Sequence, residues 1–446
     1  CLSSAYNVND YFKKNERIPG MQFKYGLDER PPLSETILFG LQWFAIAIPI
    51  IIVIGKITGA FHFAAIGEQM VYLQKLTFVM ALALLAQLFW GHRMPLIIGP
   101  SSILLVGIIA ASGYPIATIY TSILCGGLVL AIVSATGLLG HLKKLFSPRL
   151  VAVVLILIAF TLSPTILNLI TSGPVTTAPL SRLLFALLLL MGMFIAQRFL
   201  SGVWKSTLII WAMITGTLVW FLMFPETFRT EQIAYAAPIS GFFKHLTTEL
   251  SFNAGVMISF LVCFLALFIN DLGSIQSMNE LLKPEGMERR INRGILITGL
   301  SNIASGLLGV IGPVNFSLSP GVIAVSGCAS RMAMLPSAVL LLLLSFSPVV
   351  IGVIASVPSV VIGAIMIYIL SSQIAAGLIL IFESIREFKF KDGLIIGLPL
   401  MLGTIIAFMP TEILKTFPSV LRPVLGNGFV VGVTAALVME HLIFKK

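Results

Sequence analysis

The sequence predicts an all-α polytopic membrane protein with fourteen transmembrane segments arranged as two inverted repeats of seven. Three observations predict this class. Apolar residues make up 58% of the chain, charged residues only 10%, and the mean hydropathy is +1.03, whereas a soluble protein carries about 25% charged residues. Most apolar runs have the length that crosses a bilayer, roughly 20 residues. Two runs are interrupted by the same motif, Ile-Gly-Pro, at Ile98 and again at Ile311.

The chain opens with a polar, basic stretch, residues 1–33, which we expect to be a cytoplasmic N-terminal tail. The first repeat, 34–224, and the second, 252–446, are separated by a more polar connecting loop, 225–251. The fourteen predicted segments are, in order, 36–55, 69–91, 97–111, 114–139, 150–171, 180–200, 204–224, 252–275, 292–310, 317–328, 332–355, 358–381, 392–410 and 424–443.

The distribution of basic residues supports this count. With the N-terminus in the cytoplasm, 21 of the 28 Lys and Arg residues fall on the cytoplasmic side and 7 on the other, as the positive-inside rule requires. Seven spans per half is an odd number, so the second half is inverted relative to the first. The net charge of +10 is scattered singly between apolar runs, which argues against a nucleic-acid partner. We therefore expect a multi-pass protein of the inner or plasma membrane with both termini cytoplasmic.

The two Ile-Gly-Pro breaks predict the position of a binding site. Gly lets the backbone leave the helical conformation, and Pro removes a hydrogen-bond donor. Unwound backbone at membrane depth is tolerated only where it is buried in protein or lines a cavity, and a matched pair of broken segments points to a transporter site. The serines beside the breaks either contact the substrate or only satisfy freed backbone groups; they are Ser101, Ser102, Ser317 and Ser319. Phe316 is a candidate substrate contact because of its place beside the second break.

One acidic residue stands out, because nearly all the others fall in loops or at segment ends. Asp271 closes the apolar run of segment 8. Either the helix ends there and Asp271 lies near the cytoplasmic surface, or Asp271 is a buried carboxylate that binds a coupling proton, with Na⁺ as the alternative ion. Gln42, in segment 1, is either a helix–helix hydrogen-bonding residue or a substrate contact.

Several function classes are excluded or disfavoured. The five histidines show no metal-ligand spacing, so no metal site is assigned, and no nucleotide-hydrolysis or catalytic motif is present. The chain is therefore not expected to be an enzyme or to need a cofactor. Transport would have to be secondary, driven by an ion gradient and directed at a small-molecule substrate.

Five stretches of the chain carry a resemblance to a known family: Glu29-Arg30-Pro31-Pro32-Leu33, Leu41-Gln42-Trp43, Pro95 to Ser102, Gly299-Leu300-Ser301-Asn302 and Gly321-Val322-Ile323-Ala324. They resemble motifs of the nucleobase–ascorbate transporter family, which includes bacterial uracil and xanthine permeases. The resemblance implies a core domain, 34–145 with 252–356, and a gate domain, 146–224 with 357–446. It also implies that segments 3 and 10 are each a short strand followed by a half-helix, and that the protein can form a homodimer.

The sequence departs from the family at the substrate site. The family's Glu in segment 8 is Asn270 here, the His or Asp four residues later is Ser274, and Leu318 stands where the family has Glu or Gln. The resemblance still implies cation-coupled import of a nucleobase, such as uracil or xanthine, by alternating access. A buried site loses affinity when its acceptors are replaced, so two alternatives remain. One is a small-anion transporter of the same fold, like the sulfate permeases; the other is a non-transporting membrane protein descended from a transporter.

Overall fold

The protein is described by a computed structural model that covers residues 23–137, 147–172, 177–201, 204–205, 207–227, 246–247, 249–316, 319–384, 387–418 and 421–444. The first repeat contains α1 (Leu33–His62), α2 (Ile66–Phe89), β1 (Ile98–Pro100), α3 (Ser102–Ala110), α4 (Ile116–Ala135), α5 (Pro148–Thr171), α6 (Pro179–Phe199) and α7 (Leu208–Met223). A short 3₁₀ turn, Pro225–Thr227, follows α7.

The second repeat begins with α8 (Ala254–Leu282), α9 (Met287–Leu308), β2 (Pro313–Asn315) and α10 (Ser319–Ser326). It continues with a 3₁₀ turn (Arg331–Met334), α11 (Leu335–Ser345), α12 (Pro348–Ala355), α13 (Ser359–Ser384) and α14 (Phe390–Ala407). The end is made of α15 (Thr411–Lys415), α16 (Arg422–Leu425) and α17 (Gly428–Val438), which runs into a π-helical turn at Met439–Ile443.

The predicted fold class is confirmed. Within the described ranges, eight helices are long and apolar enough to cross a membrane, and three shorter apolar helices accompany them. Together with α9 and the two strand-plus-half-helix segments, these form the fourteen segments of two inverted repeats. Segment 11 is not the single span that the sequence predicts: α11 ends at Ser345 and α12 starts afresh at Pro348, because proline cannot donate the hydrogen bond that would continue the helix.

The two broken segments meet in the middle of the fold. Strands β1 and β2 pair antiparallel, with Ile98 opposite Asn315, Gly99 opposite Val314 and Pro100 opposite Pro313. Backbone groups inside a membrane protein need internal partners, and each strand supplies them to the other. The pairing is extended by bonds from Ser101 N–H to the Gly312 carbonyl and from Phe316 N–H to the Ile97 carbonyl, both 2.9 Å.

The antiparallel pairing sets the directions of the half-helices. We name the point where β1 and β2 pair, residues 98–100 and 313–315, the strand crossing. Helix α3 begins after β1 and helix α10 begins after β2, so both helices lead away from the strand crossing. Since the strands run in opposite directions, the two half-helices point away from each other and both N-termini face the crossing. A helix N-terminus carries a partial positive charge, so two such charges converge on this point.

Contacts between the two repeats occur in equivalent pairs, as expected for inverted repeats. In one repeat-to-repeat contact α4 packs on α9, and in the equivalent contact α2 packs on α11. Helices α5 and α13, which are equivalents, pack on each other, and α14 and α17 pack on α5. The paired strands pack against helices of both repeats: β1 lies against α1 and α2, and β2 lies against α2, α8 and α9.

Lys75 occupies a position that the charge count does not predict. The count places it with the outer connections, but the structure buries it in α2, at 1% exposure. Its Nζ donates to the Leu308 carbonyl at 2.7 Å, where α9 ends at Gly309 with a left-handed backbone of φ +67°. A cation at a helix C-terminus meets the negative end of the helix dipole, and this interaction allows a lysine inside the protein.

Part of the predicted tail is firmly attached. Residues 24–31, which we name the N-terminal strap, lie along residues 327–331, with a parallel bridge between Tyr25 and Cys328. Backbone bonds join Ala329 N–H to the Tyr25 carbonyl and Arg331 N–H to the Leu27 carbonyl, both 3.0 Å. Arg331 Nε also donates to Asp28 Oδ1 at 2.7 Å.

The contact between α4 and α9 predicts a strong effect of one substitution. A Cβ at Gly299 would lie 2.7 Å from the Ala131 backbone nitrogen and 2.9 Å from the Gly127 carbonyl oxygen. Because both neighbours are backbone, Gly299→Ala is expected to lower the free energy of unfolding by about 1–3 kcal/mol, the usual cost of overpacking. Thermal unfolding of the detergent-purified protein checks this, with Gly192→Ala on α6 as control, since its Cβ meets nothing within 4 Å. Equal melting of both variants would contradict the close contact.

Candidate functional site

The strand crossing brings one aromatic candidate into a defined place. Phe316 is half-buried, and its ring lies directly on Gly99 of β1. A Cβ on Gly99 would lie 2.6 Å from Phe316 Cε2 and 3.4 Å from Ile50 Cγ2 of α1. Glycine is therefore required at position 99 for the ring to lie there.

Two of the predicted serines hold the backbone at the crossing. Ser101 caps α3 by accepting from Leu104 N–H at 3.3 Å. Ser319 is fully buried and accepts from Ile97 N–H at 2.9 Å. For both residues the structure favours the interpretation that they satisfy freed backbone groups. Ser102, at the first position of α3, is buried, and Ser317 and Leu318 lie outside the described residues.

The candidates on α8 differ from one another. Ser274 is buried, and its hydroxyl donates to the Asn270 carbonyl of its own helix at 2.9 Å. Asn270 is half-buried, and no hydrogen bond in the described part of the chain uses its side-chain amide. Gln42 is buried in α1, with a partner of its own. Of the three candidates on α8, Asn270 is therefore the one whose side chain is left to pair with a substrate.

Asp271 is fully buried and bound by three donors. Helix α8 continues to Leu282, so the alternative that the helix ends at Asp271 near the surface is wrong. Oδ1 accepts from the Asn315 backbone N–H at 2.9 Å and from Asn315 Nδ2 at 2.7 Å. Oδ2 accepts from the Thr298 hydroxyl at 2.8 Å. An ionised carboxylate is an acceptor only, so this environment matches the charged form of Asp271.

The partners of Asp271 belong to a closed ring of hydrogen bonds. Gln87 Nε2 donates to Thr298 Oγ1 at 3.1 Å, and Gln87 Oε1 accepts from the His92 backbone N–H at 3.2 Å. His92 Nε2 lies 3.2 Å from Asn315 Oδ1. We call the five residues Gln87, His92, Asn315, Asp271 and Thr298 the polar ring; all are buried. It joins α2, α8, α9 and β2 in one network.

The hydrogen bonds define the tautomer of His92. Nδ1 accepts from Met94 N–H at 3.0 Å, so it carries no proton, and Nε2 must carry the proton and donate to Asn315 Oδ1. Arg290 Nη1 donates to the His92 carbonyl at 3.0 Å. Burial lowers the pKa of His92 to about 3, and Arg290 acts in the same direction, while the bond to Asn315 opposes it. His92 is therefore neutral in the folded protein.

The neutral state of His92 predicts acid sensitivity. A histidine whose pKa is lowered by folding binds a proton more readily in the unfolded chain, so its contribution to stability is lost as the pH falls below about 6.5, at about 1.4 kcal/mol per pH unit. Thermal unfolding between pH 7.5 and 5 should show this loss. The His92→Gln variant should depend on pH less steeply, by about that amount; identical pH dependence in both proteins would contradict a buried neutral His92.

Sequence reasoning missed four members of the polar ring. Thr298 immediately precedes the Gly299-Leu300-Ser301-Asn302 stretch, and Gln87 and His92 are polar residues at the end of an apolar segment. Their positions are the sequence signals that could have identified these three residues. For Asn315 the only such signal is its place beside the second break. In the described ranges no three His, Cys, Asp or Glu side chains lie close enough together to hold a metal ion.

The chain is similar in sequence to known permeases. The Permease family model of xanthine and uracil permeases matches residues 34–412. The xanthine permease of Bacillus subtilis (strain 168) is 25% identical over 94% of this chain and 96% of its own length. A putative purine permease of Clostridium perfringens, CPE0397, is 24% identical over 97% and 95%.

A solved structure shares the fold at low sequence identity. The transmembrane domain of the cyanobacterial bicarbonate transporter BicA superposes with a TM-score of 0.62 at 17% identity, covering 84% of this chain and 96% of that one. The family match extends over most of the chain and includes both broken segments and α8. The chain is an integral, multi-pass membrane permease, not an enzyme, and belongs to the nucleobase–ascorbate transporter family.

Proposed function

We propose that the protein is a cation-coupled secondary transporter that imports a nucleobase, such as uracil or xanthine, by alternating access. The observation that carries this proposal is the placement of Asn270 and Phe316. They are the chain neighbours of Asp271 and Asn315, which are hydrogen-bonded to each other. An amide and an aromatic ring thus lie on adjacent elements at the strand crossing.

These two groups suit a nucleobase. A base is a flat ring whose edge alternates N–H donors and carbonyl or nitrogen acceptors. A side-chain amide offers one donor and one acceptor and can pair with such an edge, while an aromatic ring stacks on the face of a base. The relatives named as xanthine and purine permeases support the same substrate class. Gln42, Ser102, Ser317 and Leu318 complete the proposed substrate-binding set.

Asp271 is the proposed coupling group. It is a fully buried carboxylate, and intramembrane acids commonly mark ion pathways. A proton that neutralises Asp271, or a Na⁺ ion that binds Asp271 instead of a proton, would change the interactions of α8 with α9 and β2. The proposed moving parts are the core, 34–145 with 252–356, and the gate, 146–224 with 357–446. We propose cytoplasmic termini and a homodimer as the assembled form.

One observation favours a small anion instead. Asn270 stands where the family has Glu, and Leu318 stands where it has Glu or Gln, so both carboxylates are missing. The N-termini of α3 and α10 also converge on the crossing. Helix N-termini bind anions readily. A transporter of this kind would accept sulfate or bicarbonate and ignore nucleobases.

Ligand-dependent stabilisation separates these functions. The purified protein should be melted with uracil, xanthine, urate, sulfate and bicarbonate; a ligand at a hundred times its Kd stabilises by about 2.7 kcal/mol. We expect stabilisation by one or more nucleobases and its loss in Asn270→Ala. Uptake of the stabilising base into proteoliposomes under an inward proton gradient, with a Na⁺ gradient as comparison, then tests transport. Stabilisation by the inorganic anions alone would overturn the proposal, and no response to any ligand would indicate a non-transporting protein.

A further inference from the structure

We propose that the N-terminal strap, residues 24–31, is a positioning element of the substrate site. It holds the C-terminal end of the half-helix α10, and through α10 it keeps Phe316 in place. The inference rests on the proposed function in one respect, namely that the surroundings of Phe316 form the substrate site. The contacts that carry it, and the first measurement that tests it, involve no substrate.

The strap pairs with the chain that follows α10. Residues 327–331 lead from α10 into the 3₁₀ turn before α11, and we call them the α10 link. Lys24 N–H donates to the Gly327 carbonyl at 2.9 Å, in addition to the bonds that strap carbonyls accept from Ala329 and Arg331. An extended segment that adds to an exposed edge binds in this way, through its main chain. Because a buried backbone N–H needs a partner, the α10 link depends on the strap for its hydrogen bonds.

Side chains fasten the other end of the strap. Ser330 Oγ donates to the Glu29 carbonyl at 2.5 Å. Arg331 donates through Nη1 to the Leu88 carbonyl at 2.6 Å, in the last turn of α2, while its Nε binds Asp28. A cation at a helix C-terminus is favourable. Arg331 thereby ties both the strap and the α10 link to α2.

Helix α10 depends on contacts at its ends because it is short. It has eight residues, and a helix leaves four N–H groups at its start and four carbonyls at its end without partners inside the helix. In α10 these terminal groups are half of the backbone polar groups. The inverted counterpart α3 packs on α1, α5 and α8, whereas in the described part of the chain α10 packs chiefly on α8. The partners at its two ends therefore determine whether α10 keeps its place.

The start of α10 is joined to the strand crossing. Ser319 Oγ accepts from Ile97 N–H at 2.9 Å and donates to the Phe316 carbonyl at 3.4 Å. Phe316 in turn donates its N–H to the Ile97 carbonyl. A displacement of α10 therefore reaches Phe316 through Ser319.

The end of α10 is held by the strap. Gly327 has a left-handed backbone of φ +68° and donates its N–H to the Ile323 carbonyl at 2.8 Å, which closes the last turn. This conformation at a helix end favours glycine, and the Gly327 carbonyl is the acceptor for Lys24 N–H. The strap thus binds the residue that ends the helix. If the strap detaches, the last turn loses this anchor, and the motion passes along α10 to Ser319 and Phe316.

Hydrogen–deuterium exchange without substrate tests the inference with a matched pair of variants. Lys24→Pro and Lys24→Ala both remove the ion pair between Lys24 Nζ and Glu35 Oε2, 2.6 Å, but only proline also removes the backbone N–H. In Lys24→Pro, exchange of the Phe316, Gly327 and Ala329 amides is expected to rise about tenfold. In Lys24→Ala these amides should exchange as in wild type.

Asp28→Lys provides a second variant, because Asp28 is exposed and its replacement leaves the core intact. A lysine at this position faces Arg331 and also meets the charge of Arg290. The like charges should weaken docking of the strap, so the same three amides should exchange faster. Glu226→Lys, in the exposed 3₁₀ turn after α7, makes the same change of charge and should exchange as wild type does.

The outcomes are distinguishable. Equal exchange in Lys24→Pro and Lys24→Ala would overturn the inference, and so would faster exchange at Gly327 without a change at Phe316. Faster exchange of the Leu105 amide as well, which is bonded inside the other half-helix α3, would indicate general loosening and would also overturn it. If Lys24→Pro does not fold, the comparison of Asp28→Lys with Glu226→Lys decides by the same criteria.

The KM for the nucleobase is the functional readout. It should be several-fold higher in Lys24→Pro than in Lys24→Ala, because the displaced Phe316 ring contributes less to binding. An equal KM in the two variants would overturn the role of the strap at the substrate site. If the wild type binds no nucleobase, the proposed function fails, while the exchange comparison still decides whether the strap positions Phe316.

Discussion

The Asp271→Asn variant is expected to lose gradient-driven accumulation of the nucleobase. With an inward gradient of about 2 pH units, one coupled proton per substrate supports about hundredfold accumulation, since each pH unit corresponds to about 1.4 kcal/mol. Without a titratable group at position 271, the substrate should reach only equal concentrations on both sides. Uptake into proteoliposomes with an imposed pH gradient measures this directly.

A control and a second readout separate coupling from binding. Glu226→Gln replaces an exposed acid in the 3₁₀ turn after α7, far from the polar ring in the chain, and should accumulate substrate as wild type does. Exchange of labelled for unlabelled substrate, which needs no net proton movement, should persist in Asp271→Asn. Accumulation by Asp271→Asn at the wild-type level would remove Asp271 from the coupling role.

The Gly99→Ala variant should damage the substrate site through a single methyl group. Its Cβ would lie 2.6 Å from the Phe316 ring, closer than carbon atoms approach, so the ring must move. Overpacking of this kind costs about 1–3 kcal/mol; if the displaced ring forfeits that much binding, KM rises about tenfold, since 1.4 kcal/mol is a factor of ten. Initial uptake rates across a range of nucleobase concentrations provide KM and kcat.

The matched control is Gly67→Ala at the start of α2, where a Cβ meets nothing within 4 Å. Its KM should equal that of the wild type. A second comparison, Gly99→Ala combined with Phe316→Leu, tests the cause: a smaller side chain at 316 removes the clash and should recover protein stability but not substrate affinity. If Gly99→Ala binds nucleobase normally, Phe316 has no part in the site.

The fold could be predicted because its causes are local. Hydropathy and the positive-inside charges depend on composition over short stretches, and the breaks at Gly99-Pro100 and Gly312-Pro313 are visible in the chain itself. The burial of Asp271 was one of two alternatives, because an acid at the end of an apolar run looks the same whether the helix stops or continues. The residues that follow Asp271 are compatible with a helix, and the helix continues to Leu282.

The polar ring could not be predicted because its causes are tertiary. Its members come from four elements and from the connection between α2 and β1, and Asn315 reaches Asp271 only because β1 and β2 pair in one particular register. Lys75 illustrates the same limit: its charge suggests a loop, and only the end of α9 beside it explains its burial. Ser101 and Ser319 likewise could contact either the substrate or the backbone as far as the sequence tells. Only the structure shows that they accept from Leu104 N–H and Ile97 N–H.

The shared strand pair has a consequence for how the protein is made. β1 is synthesised and inserted long before β2 leaves the ribosome, and in that interval its N–H and carbonyl groups lack their final partners in a medium without water. The first repeat is therefore incomplete as a folding unit. Insertion must hold α3 in a protected place until the second repeat arrives, and the two halves expressed as separate chains should each be short-lived but stabilise each other when produced together.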